Sequence, residues 1–127
     1  MSKNVRKLVA SAMKELGIEY GFLTYYKDPI IYPYFVGQYT ENAPISEDGM
    51  QESRFSLYGY TRGSWEELEE KKEQIEAFFN KVSGKTVIAE DNSAVAVFYE
   101  SALTIPTGNA ELKRIQINLI CKEWSVK

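Results

Sequence analysis

The stretch from Tyr32 to Val82 constrains the fold more than any other part of the chain. "YPYFVGQYT" is followed by the polar "ENAPISEDGMQES", then by "RFSLYGYTRG", and at once by "SWEELEEKKEQIEAFFNKV". Two β-rich runs thus flank a polar segment, and the second run delivers the chain directly into a helix. A sheet face with an amphipathic helix attached must bury one against the other, which points to an α+β layer structure. No catalytic residue types stand out in this stretch. A strand pair feeding a helix is assembly hardware more often than an active site.

The helix start is written in the sequence. Ser64 is a predicted N-cap and Glu67 occupies N3, so each side chain can satisfy an orphan backbone N–H of the other. Trp65, Leu68, Ile75, Phe78, Phe79 and Val82 form the predicted buried side, with Lys72 snorkelling at its rim and Gly84 ending the helix. Trp65, at N1, is expected to be largely buried against the sheet. A second amphipathic helix is predicted over 3–16. There Val5, Leu8, Val9, Ala12, Met13 and Leu16 make one apolar stripe, Ser2 can cap the start and Gly17 the end.

The rest reads as strand. Residues 18–26, "IEYGFLTYY", are β-branched and aromatic, and Lys27-Asp28-Pro29 stops them. Segment 30–40 contains Pro33, which marks a strand start or an edge because proline donates nothing to a ladder. Residues 41–52 are loop by composition, and strand 53–62 follows. Strands over 86–90, 94–106 and 112–124 complete the chain, the first two joined by the Asp91-Asn92-Ser93 turn as a hairpin. The expected fold is α+β in one domain spanning 1–127. It has a mixed or mainly antiparallel sheet, two helices packed on one face, and a long β-hairpin arm.

Composition narrows the chemistry. At 127 residues, 44% hydrophobic and 26% charged, the chain can build a single core and is not of a disordered type. It contains no His and one Cys, which removes Ser-His-Asp and Cys-His catalysis and most zinc sites. Cys121 falls on the alternating face Ile115, Ile117, Leu119, Cys121 and reads as a buried core thiol. Glycine-rich phosphate loops are lacking. Glu66, Glu67, Glu69, Glu70, Glu73 and Glu76 crowd the polar face of the second helix and read as a solvated surface. The run Glu47 to Glu52 lacks the spacing of a calcium loop. No cofactor or metal is expected. A net charge of −3 with scattered basic residues argues against specific nucleic-acid binding. No membrane span is expected, and the mixed N-terminal pattern does not read as a secretory signal.

Nine tyrosines exceed what a small core needs, and tyrosine suits interfaces because one end is apolar and the other tolerates water. The candidate interface residues are Tyr34, Tyr39, Tyr58 and Tyr60, together with Glu47, Asp48 and Met50 of the polar segment.

Residues 1–82 resemble the tail terminator (tail completion, minor tail) proteins of phages and prophages. The likeness rests on the N-terminal amphipathic helix, the Pro-aromatic strand "YPYFVGQYT" and "RFSLYGYTRGSWEELEEKKEQIEAFF", whose "RGS" turn leads into the long helix. The resemblance implies an α+β structural protein without catalytic residues. Such proteins close into a homo-oligomeric ring, expected to be sixfold, at the head-proximal end of the tail tube. The implied partners are further copies of the chain, the major tail tube protein and the head-tail connector. The implied location is the virion tail, and the host cytoplasm during assembly. Two other readings stand beside it: a different assembly part, such as a head-tail stopper or tail chaperone, or a small ligand-binding α+β domain. For the last, Arg54, Arg62 and Glu100 are the obvious polar candidates on strands.

Overall fold

A computed structural model describes residues 3–41, 50–80 and 82–124. Helix α1 (Lys3–Glu15) precedes β1 (Glu19–Phe22), β2 (Tyr34–Glu41) and β3 (Met50–Thr61). Helix α2 (Trp65–Phe79) then precedes β4 (Lys85–Ile88), β5 (Ala94–Ile105) and β6 (Lys113–Trp124). The strands form one mixed sheet in the order β1-β2-β3-β6-β5-β4. Only the β1–β2 pair is parallel; every other pairing is antiparallel. The architecture is α+β, as the alternation of strand and helix patterns predicts.

Alternation along the long strands assigns the two faces. Phe35, Phe55, Leu57, Val95, Val97, Tyr99, Ile115, Ile117, Leu119 and Cys121 are buried on one of them. They form a single cluster with Val5, Leu8, Val9, Ala12 and Met13 of α1 and with Leu68, Ile75 and Phe79 of α2. Both helices therefore cover the same face, because each carries one apolar stripe and the sheet offers one matching layer.

Local signals hold at the start of α2 and at the end of α1, while Ser2, the predicted cap of α1, lies outside the described residues. Gly17 takes φ +70°, and Ile18 and Gly17 donate to the Met13 and Lys14 carbonyls. That is a Schellman closure, with Ile18 and Met13 both buried beside it. At α2, Glu67 N–H donates to Ser64 Oγ at 3.4 Å and Ser64 N–H donates to Glu67 Oε2 at 3.1 Å, the predicted capping box.

Two expectations for α2 are overturned. Trp65 is 45% exposed rather than buried. Helical side chains lean toward the N-terminus, so the first residue of a helix leans out past its end, where the capping turn replaces the sheet. Val82 is 89% exposed, and the helix ends at Phe79 instead of continuing to Gly84. Asn80 terminates it at φ +31°, its Oδ1 accepting from the Val82 and Ser83 N–H groups at 2.8 and 3.0 Å. The apolar 3.6 spacing through Val82 outruns a local asparagine turn that wins the backbone. Lys72 behaves as expected of a rim residue, reaching Glu76 at 3.1 Å and Glu69 at 3.5 Å.

Strand limits shift as well. The β1 run is four residues rather than nine, and β2 starts at Tyr34, directly after Pro33. Strand β3 begins at Met50, so part of the predicted loop is ladder. The β2–β3 hairpin is in register from Tyr34↔Tyr60 to Glu41↔Ser53, and β6 pairs along β3 from Met50 to Thr61. The hairpin is thus built into the sheet, with β3 at its interior.

Candidate assembly surface

The face opposite the helices carries the even-numbered residues of β2, β3 and β6, and no described element covers it. Its composition is far from random. Tyr34 pairs with Tyr60 across β2 and β3, their rings stacked with centroids 5.1 Å apart. Tyr25 stacks on the other side of Tyr34 at 4.5 Å, and Tyr32 tilts against it at 5.6 Å. Arg114, the register partner of Tyr60 on β6, lies over two rings, 4.8 Å from the Tyr58 centroid and 5.4 Å from that of Tyr60. Its Nε is buried and lacks a hydrogen-bond partner among the described residues. The result is a continuous aromatic-cation stripe across three strands.

The stripe is fixed at its edge. Tyr25 donates to Glu19 Oε1 at 2.8 Å, and Lys27 Nζ reaches the same oxygen at 3.2 Å. These two contacts hold the Glu19 carboxyl below the usual range, the Tyr25 hydrogen bond contributing more than Lys27. Arg62 Nε donates to the Tyr32 hydroxyl at 3.3 Å. Burial, and then the neighbouring Tyr32, Tyr60 and Tyr25, push the Tyr34 phenol above its ordinary range.

Beyond the stripe lies a polar middle. Asn118 Oδ1 accepts from Gln116 Nε2 at 2.8 Å and from Ser56 Oγ at 3.1 Å, while Asn118 Nδ2 donates to Ser101 Oγ at 3.2 Å. Those bonds fix the orientation of both amides. At the far end Arg54 pairs with Glu100, the residue bulged out of register between Tyr99 and Ser101. Leu103 adds an exposed apolar patch.

Sequence candidates distribute unevenly over this geometry. Tyr34, Tyr58 and Tyr60 come together on the helix-free face, and Met50 lies on the same face at the opposite end of β3. Tyr39 is on the helix side, edge-on to Phe55 at 6.4 Å, so it belongs to the core rim. Glu47 and Asp48 lie outside the described residues. Arg54, Arg62 and Glu100 do not converge. Arg54 is taken by Glu100, whereas Arg62 sits eight residues further on, about 26 Å along the strand direction. Arg114, Gln116 and Asn118 were missed as candidates. Their signal was the polar side of the β6 alternation, read only for its apolar side.

Chemically the face offers ring surfaces, oriented amides and a guanidinium, all of them contact groups. Among the described residues no group of three or more His, Cys, Asp or Glu is placed to hold a metal ion. Cys121 is fully buried, and burial raises its thiol to about 12. The Tyr20 hydroxyl is buried on the helix side without a hydrogen-bond partner among the described residues, and burial raises it well above its ordinary range. No helix among the described residues is long and apolar enough to cross a membrane. The chain matches no known family model, and no curated protein matches its sequence.

Proposed function

We propose that this chain is a structural subunit of a phage or prophage tail, of the tail terminator or completion type. Copies of it close a ring at the head-proximal end of the tail tube, between the major tail tube protein and the head-tail connector. It works in the virion tail after assembly in the host cytoplasm, and it performs no chemistry there. One observation carries this reading: a sheet with both helices on one side and an organised tyrosine-arginine-amide surface bare on the other. Strands β2, β3, β5 and β6, of 8 to 12 residues, spaced about 4.8 Å and rising about 3.3 Å per residue, present roughly 700 Å² on that face. A standard interface buries about 800 Å² per partner, so the bare face is the size of one contact. Its residue types are those enriched at interface centres. The net charge of −3 suits a ring through which DNA passes without sticking, since carboxylates repel phosphates.

Negative-stain imaging of purified tails with a label on this chain tests the reading. Label at the head-proximal tip supports it, and absence of the protein from that tip overturns it. Tyr58→Glu supplies the mechanistic arm. A carboxylate in the stripe should abolish ring or tail joining while leaving the fold intact, because Tyr58 is only half-buried.

A further inference from the structure

A second surface lies away from the bare face. A groove of about 1000 Å³ runs beside α1, bounded by β4 and the end of α2. Leu8, Ala12, Phe78 and Val87 give it an apolar floor. Lys3, Lys7 and Lys14 form its rim. Steps of four and seven residues put these lysines in one stripe along the helix, and all three are exposed. None of them makes an ion pair among the described residues. Glu15, Glu90 and Asp91 also border the groove, Asp91 accepting from the Ser93 N–H at 3.0 Å.

The same chain carries the complement of this groove. Trp65 opens α2 with 45% of its surface in solvent. Glu69 and Glu73 follow it at i+4 and i+8 on one side of the helix, and Glu66 lies next to Glu73 on the outward face. Glu66 and Glu73 are exposed and make no ion pair among the described residues, since Lys72 takes Glu69 and Glu76. Helix α2 holds six acids and two lysines, whereas α1 holds four cations and one acid. Opposite charge thus stays unneutralised on two helices that cover the same side of the sheet.

We infer that the groove beside α1 receives Trp65 and the acidic face of α2 from a second copy of the chain. The indole gives the open apolar floor a partner, and the Glu66 and Glu73 carboxylates meet the lysine rim. An aromatic anchor ringed by charge is the arrangement of an interface centre and its border. Lys7 and Lys14 stand two helical turns apart, about 10.5 Å, and so do Glu66 and Glu73. Two ion pairs therefore stay in register whichever way the helices run. The donor is not the same chain. Phe78 floors the groove, and Trp65 lies thirteen residues before it on the same helix, about 20 Å along the axis. Knob and groove at opposite ends of α2 make the contact head-to-tail, the kind that closes rings. The inference rests on the self-assembly reading for its supply of neighbours, and it leaves the bare face to the tube protein or the connector.

Sedimentation of the full chain over a concentration series tests this, with thermal melts as the control for folding. The parent should self-associate below about 1 mM. Trp65→Ala and Lys7→Glu/Lys14→Glu should each need at least about tenfold more protein to associate. Their melts should stay close to the parent's, because all three side chains are exposed. Mixed together, the two variants should form dimers that grow no further, since one keeps the groove and the other keeps the indole. Adding Glu66→Lys/Glu73→Lys to the lysine-reversed chain should restore association. A parent that is monomeric at that concentration, variants that associate like the parent, or a mixture no larger than its components would each overturn the inference. Tip labelling with association indifferent to these changes leaves the tail reading standing and removes this one. Loss and rescue of association without tip labelling does the reverse.

Discussion

Gly59→Ala is the sharpest probe of how this sheet is packed. Gly59 on β3 is the register partner of Phe35 on β2, and Phe35 is fully buried. A methyl group built at Gly59 falls 2.6 Å from Phe35 Cζ and 2.9 Å from Cδ2, and nearer still to Cε2. One side of the ring abuts the glycine, and the ring is packed in the cluster shared with both helices. Overpacking a filled core costs about 1–3 kcal/mol. Against this, Ala regains roughly 0.5–1 kcal/mol over Gly in a strand through reduced chain entropy. The net expectation is a loss of about 1–2 kcal/mol, or roughly 3–8 °C in Tm for a domain of this size. Urea melts of Gly59→Ala, Phe35→Leu and the double variant decide it. Trimming the ring should be less harmful once the methyl is present, giving a coupling of at least about 0.5 kcal/mol between the two sites. A Gly59→Ala protein as stable as the parent, or additive losses in the double variant, would refute the ring-on-glycine packing.

The remaining expectations concern α2 and the core thiol. Phe79→Ala should cost about 3–5 kcal/mol in the same melts, while Trp65→Ala should cost under about 1 kcal/mol because the indole is half in solvent. Asn80→Gly should stay within a few tenths of a kcal/mol, whereas Asn80→Val should lose more than about 1 kcal/mol, since a branched side chain resists φ +31° and cannot accept from Val82 and Ser83. Cys121 is held neutral to about pH 12 when folded, against 9.0 for an ordinary thiol. Its contribution is complete below pH 9 and shrinks by about 1.4 kcal/mol per pH unit above that. The stability gap between the parent and Cys121→Ala should therefore narrow from pH 9 upward; a gap independent of pH would show that the thiol ionises in the folded state.

Legibility in the sequence followed the range of the physics. Features set within four residues were readable: the α1 stripe, the Ser64–Glu67 box, the Gly17 closure, and the alternation that buries Ile115, Ile117, Leu119 and Cys121. Errors arose where local rules competed, as where Asn80 stops a helix whose apolar spacing runs on. Strand order was not readable. Nothing near β3 announces that β6, some sixty residues later, will lie beside it, or that β1 will pair parallel with β2. The surface suffered likewise. Tyrosines were visible as types, but the stacking of Tyr25 on Tyr34 on Tyr60, and Arg114 above Tyr60, depends on register that only the closed sheet defines.

The position of β6 has a temporal consequence. It is the last strand in chain order, yet it lies between β3 and β5, the other two 12-residue strands. While the ribosome is still making residues 1–112, β3 has an unsatisfied interior edge and β5 has only the four-residue β4 for company. Hydrophobic surface on α1 and α2 has half a platform to rest on. Long-range closure of this kind is slow and leaves nascent edges open to wrong partners. Folding is thus deferred until residue 124 emerges. A ribosome stalled before β6 would hold an aggregation-prone chain, and polysomes crowded with such chains would bring those open edges together.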